Sequence, residues 1–164
     1  MVELLGGLFV ASAVSGVVPI VNAELLVVTA AATLPVLGVP IVALVSTLGQ
    51  MSSKTSLFAL ARWAPTRLSA RGRSLLERAS LPLSKREGAV GSVVFTSAAT
   101  GLPPFYGVSL ASGAVGMRMS AFVLTGSAGR FLRFSALAWF GRRLGSSTLE
   151  SVHGLALALP FVGG

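Results

Sequence analysis

The sequence predicts an all-α integral membrane protein made of two inverted repeats, each a re-entrant helical hairpin followed by one long transmembrane helix, with a short C-terminal helix. Three observations predict it. Of the 164 residues, 53% are hydrophobic and only 11% charged, and mean hydropathy is +0.82. A surface that faces water normally needs about a quarter of its residues charged, so this surface is expected to face lipid. The apolar stretches are cut at prolines into pieces of two lengths. The two halves of the chain carry those pieces in the same order.

The first apolar run, residues 3–18, stops at Pro19, and a second short run follows over 22–34 with Pro35 and Pro40 after it. A long run covers 39–63. The pattern then repeats: 88–102, a break at Pro103-Pro104, 105–116, and a long run over 119–140. A hydrocarbon core about 30 Å thick needs about 20 helical residues. The runs 39–63 and 119–140 are long enough to span; the others fall short. Two short apolar helices joined at a proline are read as a hairpin that enters and leaves by one face, with Pro19, Pro103 and Pro104 as the re-entrant breaks. Those breaks are expected to lie at membrane depth, shielded by protein. Thin or tilted spans are the alternative.

The long runs are matched in detail. Leu48-Gly49 and Ala59-Leu60-Ala61-Arg62-Trp63 in the first correspond to Ala128-Gly129 and Ala136-Leu137-Ala138-Trp139 in the second. Hairpin plus single crossing turns the second unit upside down, the plan that places a substrate site between halves. A single membrane domain is expected over 1–164: a first unit at 1–63, a basic loop at 64–87, a second unit at 88–145, and an apolar tail helix at 146–164.

Charge is unevenly placed. Arg62, Arg67, Arg71, Arg73, Arg78, Lys85 and Arg86, against Glu77 and Glu87, hold five of the eight net positive charges. No RNP, helix-turn-helix or zinc signature accompanies them, so nucleic acid is not the expected partner. A basic connection between apolar segments is expected on the cytoplasmic side; Arg142 and Arg143 on the other side are an exception. Within this loop, 66–81 places Leu68, Leu75, Leu76 and Ala79 on one helical face and Arg67, Arg71 and Arg78 on another, as an interfacial helix would. A solvated loop is the alternative.

Several chemistries are unsupported. There is no cysteine, so thiol catalysis and Cys-ligated metals are out. The lone histidine, His153, makes no metal site and is expected at an interface. No G-x-S-x-G, P-loop or dinucleotide fingerprint is present. No cofactor, metal or enzymatic activity is expected. The start, Met1-Val2-Glu3-Leu4, is acidic where a secretory signal is basic, so the chain is expected to be mature as it stands.

Charges inside apolar segments cost several kcal/mol and mark function by default. Glu24 follows the first break, where a helix N-terminus favours a carboxylate; a plain cap is its structural reading. Arg130 lies mid-run, too far in to snorkel, and is expected to meet a lipid phosphate or to form an ion pair with Glu24. Lys54 and Arg133, nearer the run ends, are expected to snorkel. These four are the candidate substrate-binding or coupling residues. Ser109/Gly113, Ser112/Gly116 and Gly141/Gly145 are small-xxx-small pairs that permit close helix contact, and a homo-oligomer is open to such a surface.

The Pro-x-x-x-x-Glu turn at Pro19–Glu24, the Leu48-Gly49 helix ending at Phe58–Arg62, and Pro103–Gly116 with Phe122 and Gly126 resemble the DedA family, also called the VTT or SNARE-associated domain. The resemblance covers roughly residues 17–145. A small multidrug export-like group shares the hairpin plan. The resemblance implies a translocase, flippase or scramblase, of phospholipid or polyprenyl phosphate, multi-pass in a cell membrane of prokaryotic inner-membrane type. Membrane lipids, anionic or phosphate-bearing, would be its partners. An exporter of small molecules or ions, or a non-transporting scaffold, are the rivals. The chain departs from the family at Gln50, where an acidic residue usually follows the glycine, and at Phe105-Tyr106-Gly107, where arginine is common.

Overall fold

The computed structural model describes residues 2–17, 23–35, 37–63, 74 and 87–158. They form six helices: α1 Val2–Val17, α2 Ala23–Thr33, α3 Gly38–Trp63, α4 Glu87–Thr100, α5 Phe105–Ala114 and α6 Met119–Ala158. The chain is all-helical, and the helix boundaries follow the predicted pieces to within about two residues until α6. Pro19, all of the proposed interfacial helix at 66–81 except Ser74, and the end of the tail lie outside the described residues.

The separate C-terminal helix expected over 146–164 is corrected: α6 runs unbroken for 40 residues. No proline interrupts the stretch, and the small-xxx-small pair Gly141 and Gly145 is where α6 closes on α2. A Cβ at Gly141 would sit 2.4 Å from the Val28 carbonyl oxygen, and one at Gly145 2.7 Å from that of Ala32. The long runs need a second correction. Among the described residues, no helix is long and apolar enough to cross a membrane. The reason is local: α3 carries Ser46, Thr47, Gln50, Ser52, Ser53 and Lys54 mid-length, and α6 carries Arg130, Arg133, Arg142 and Arg143.

The packing follows a two-fold exchange of the halves. Within each half the first helix lies along the long one, α1 on α3 and α4 on α6. The middle helix crosses over: α2 packs on α6, and α5 on α3. The long helices also pack on each other, antiparallel. Phe58 near the end of α3 stacks on Phe122 near the start of α6, ring centroids 4.6 Å apart. Val42 and Ala43, near the start of α3, share a core with Phe134 and Ala138.

Glycines make the closest crossings. A Cβ on Gly49 would meet the Phe9 carbonyl at 2.4 Å, and one on Gly129 the Phe95 carbonyl at 2.6 Å. These two glycines, 80 positions apart, do the same work in the two halves. Two cores result, one around each hairpin: Leu8, Ala23, Val27, Ala31, Val42 and Phe134 in the first, Phe58, Val94, Ala98, Phe105, Val108 and Phe122 in the second. The α5–α6 turn closes on Gly116 at φ 78°, with Met117 N–H donating to Ser112 and Gly116 N–H to Gly113, the glycine-terminated helix end that Schellman geometry requires.

The second proline break is where expected, between α4 and α5. Its side chains are not shielded: Leu102 is 73% exposed, and Pro103 and Pro104 are exposed. The backbone is satisfied by hydroxyls instead. Ser97 Oγ donates to the Pro103 carbonyl, and the Thr100 hydroxyl donates to the Leu102 carbonyl and accepts from its N–H. Hydroxyls of this kind replace lost helix bonds where a proline interrupts the ladder.

Candidate functional site

The four half-length helices meet in pairs partway along the long ones. Along α3, α1 stops beside Ser53–Lys54 and α5 takes over. Along α6, α4 stops beside Arg133 and α2 takes over. Each junction sets a helix C-terminus, with its unpaired carbonyls, against a helix N-terminus from the other half. Each is bridged by one cation.

At the first junction, Lys54 Nζ donates to the Gly16 carbonyl at 2.6 Å, in the last turn of α1. The same ammonium lies 5.2 Å from the ring centroid of Tyr106, the second residue of α5. At the second junction, Arg133 Nη1 donates to the Ala99 carbonyl at 3.2 Å, in the last turn of α4. Its Nε donates to Glu24 Oε1 at 2.9 Å, and its Nη2 donates to the same oxygen. Glu24 is the second residue of α2. The two sites have one plan: a cation on a long helix ties the last turn of its own half's first helix to the second residue of the other half's middle helix. Positive-φ Gly101 gives Arg133 room, since a Cβ there would lie 3.2 Å from Nη1.

Arg130 stands apart from both bridges. It is 7% exposed, stacked 4.8 Å over the Phe105 ring, and its Nε is buried without a hydrogen-bond partner among the described residues. Lys54 and Arg133 repel it and Glu24 attracts it, so Arg130 couples the two bridges electrostatically. Gln50, 80 positions before Arg130, donates to Ser15 Oγ at 3.3 Å while its Oε1 is buried without a hydrogen-bond partner among the described residues. Among the described residues the centre therefore sets three cations, Lys54, Arg130 and Arg133, against the Glu24 carboxylate, with unpaired buried polar atoms on Arg130 and Gln50. Such a centre attracts an anion into low-dielectric surroundings. Among the described residues no group of carboxylates, histidines or cysteines can hold a metal ion.

The structure gathers the four sequence candidates but pairs them differently. Glu24 pairs with Arg133, not with Arg130. Lys54 and Arg133 do not snorkel: Lys54 is 6% exposed, and both point inward to helix ends. Tyr106 was not among the candidates, and a neutral aromatic in an apolar run gives no signal of its own. Its place beside the Pro103-Pro104 break, matching Glu24 beside the first break, could have found it. Comparison with protein-family models, curated proteins and solved structures gives no match to this chain.

Proposed function

We propose that this chain is a multi-pass membrane translocase, a flippase or scramblase of phospholipid or polyprenyl phosphate, of the kind its resemblance to the DedA family implies. One observation carries the reading: large apolar side chains are exposed while polar and charged ones are buried beside the apolar cores. Large apolar side chains cover the outside, among them Leu25, Leu44, Leu48, Leu60, Trp63, Leu124, Leu132 and Trp139, each at least half exposed. Ser12, Ser46, Thr47, Gln50, Lys54, Ser97, Ser109, Ser112 and Arg130 lie inside. Water would penalise that arrangement and lipid would favour it. Hydropathy averaged along α3 and α6 is lowered in part by buried residues such as Thr47, Gln50, Lys54 and Arg130, so the average understates how apolar the outer faces are.

The centre fits a phosphate-bearing lipid. Arginine's planar fork donates two parallel bonds to phosphate, and Arg130 has an Nε to spare. The Glu24 side chain is 40% exposed partway along α6, which supports an approach to the centre from the flank of the bundle, the side a lipid would use. The half-helix breaks at the middle of the long helices follow the inverted-repeat transporter plan.

The test is movement of a labelled phospholipid across liposomes containing the purified chain. The wild type is expected to move it. Arg130→Ala is expected to reduce movement to the protein-free rate while the protein stays inserted and folded, and Arg130→Lys to stay impaired because the fork is lost. A fully active Arg130→Ala would sink the site; a wild type that moves no lipid would sink the translocase.

A further inference from the structure

We propose that the groove between the C-terminal end of α2 and residues 142–145 of α6 binds an anionic phospholipid, with Arg142 holding its phosphate. The proposal rests on the membrane reading above, but not on translocation. The groove is a cavity of about 620 Å³ whose walls include Ala32, Leu34, Pro35 and Leu144, with Thr33 and Arg142 as its polar edge. An apolar wall with a single cation at its margin fits an amphiphile. A free anion would gain from the cation alone.

The two-fold exchange shows why Arg142 is unspent. Its counterpart, 80 positions earlier, is Arg62. Arg62 Nη1 donates to the Met117 carbonyl at 2.5 Å and lies 3.4 Å from that of Gly116, so it caps the chain leaving α5. At the matching end of α2 the carbonyls are served locally. Ala30 accepts from the Thr33 hydroxyl at 3.0 Å, Ala31 from Leu34 N–H at 3.4 Å, and Pro35 from Gly38 N–H at 2.7 Å. Arg142 has no cap to make, and its Nε is buried without a hydrogen-bond partner among the described residues. Arg142 lines the groove, and the two terminal nitrogens of a guanidinium form an end-on fork that takes two phosphate oxygens. Arg143 next to it stacks 4.5 Å over Trp139, an aromatic–basic pair of the kind found at head-group level. Glu24 is at the far end of α2, about 13 Å away by helical rise, and does not compete.

The experiment measures binding to the full chain in uncharged detergent, by thermal shift and native mass spectrometry, with phosphatidylglycerol, phosphatidylcholine and inorganic phosphate as probes. Phosphatidylglycerol is expected to bind saturably and the other two weakly. Arg142→Gln is expected to raise the half-saturating phosphatidylglycerol concentration about tenfold, the worth of one charge-assisted contact. Leu144→Trp, which fills the groove and keeps the arginine, should weaken binding as well and decides the matter if Arg142→Gln does not fold. Arg62→Gln should leave binding unchanged. Phosphatidylglycerol binding that survives both groove variants overturns the proposal. Equal binding of phosphatidylcholine, which carries the same phosphate beside a cationic head, overturns the selection of an anionic lipid, and an equal response to inorganic phosphate overturns the lipid. Arg142-dependent binding in a protein that moves no lipid would leave this site standing and remove only the translocase.

Discussion

Three buried or half-buried cations around one carboxylate are costly, and each is kept by a different device. Lys54 is offset by a helix-end carbonyl and an aromatic face, contacts worth about 0.5–2 kcal/mol each. Arg133 holds a carbonyl and the Glu24 carboxylate together. Arg130 has the faces of Phe105 and, 5.9 Å away, Phe134, and its spare Nε is the least compensated group of the three. The pairing predicts couplings that can be measured. A double-mutant cycle of Glu24→Gln with Arg133→Gln, read from unfolding in detergent, should show a coupling of about 1 kcal/mol, modest because the pair is partly exposed. The cycle of Glu24→Gln with Arg130→Gln should show clearly less. The reverse order would mean that Glu24 serves Arg130, one of the two readings of Arg130 that the sequence left open.

At the scale of elements, glycine decides how near the helices come. Gly49 and Gly129 admit a carbonyl where any side chain would collide, and small residues at such crossings are what lets helices pack without a hydrophobic driving force. Gly129→Ala and Gly49→Ala should each lower stability by about 1–3 kcal/mol through overpacking. Gly107→Ala is the control: nothing lies within 4 Å of its Cβ, so it should be neutral or stabilise by up to about 1 kcal/mol. Thermal unfolding of the three variants checks both statements, and equal effects at 49, 107 and 129 would refute the close crossings. The helices themselves were legible because prolines and glycine turns stand where they end. The repeat was legible through Leu48-Gly49 and Ala128-Gly129, since a close crossing tolerates few residue types. The matched cations were not. Shifted by 80 positions, Lys54 falls on Phe134 and Arg133 on Ser53, so an alignment hides them. They reach equivalent helix ends because one residue is about 100° of helix turn, which a long flexible side chain can make up. The length of α6 was missed because the apolar run stops at Phe140, before Arg142 and Arg143, while the helix continues through them along α2.

For the whole molecule, the crossover of the middle helices has a consequence that packing within one half would not have. Because α2 lies on α6 and α5 lies on α3, each half leaves its own middle helix with little to pack on. The first core needs Phe134 and Ala138 from the second half, and the second core needs Met51 and Phe58 from the first. Both cation bridges also cross between halves, Lys54 to Tyr106 and Arg133 to Glu24. Folding of either half alone would leave a core open and a cation without its partner. The chain cut within residues 64–87 should therefore give two fragments that are degraded or aggregated when made separately. Made together, they should co-purify and unfold in a single transition, because the interface between them is the body of the fold. Co-purification of the two tagged fragments, with Gly49→Leu weakening α1 on α3 as an intra-half control, measures this directly. Fragments that fold and stay apart would show each repeat to be self-sufficient and would remove the exchange of helices on which the central site depends.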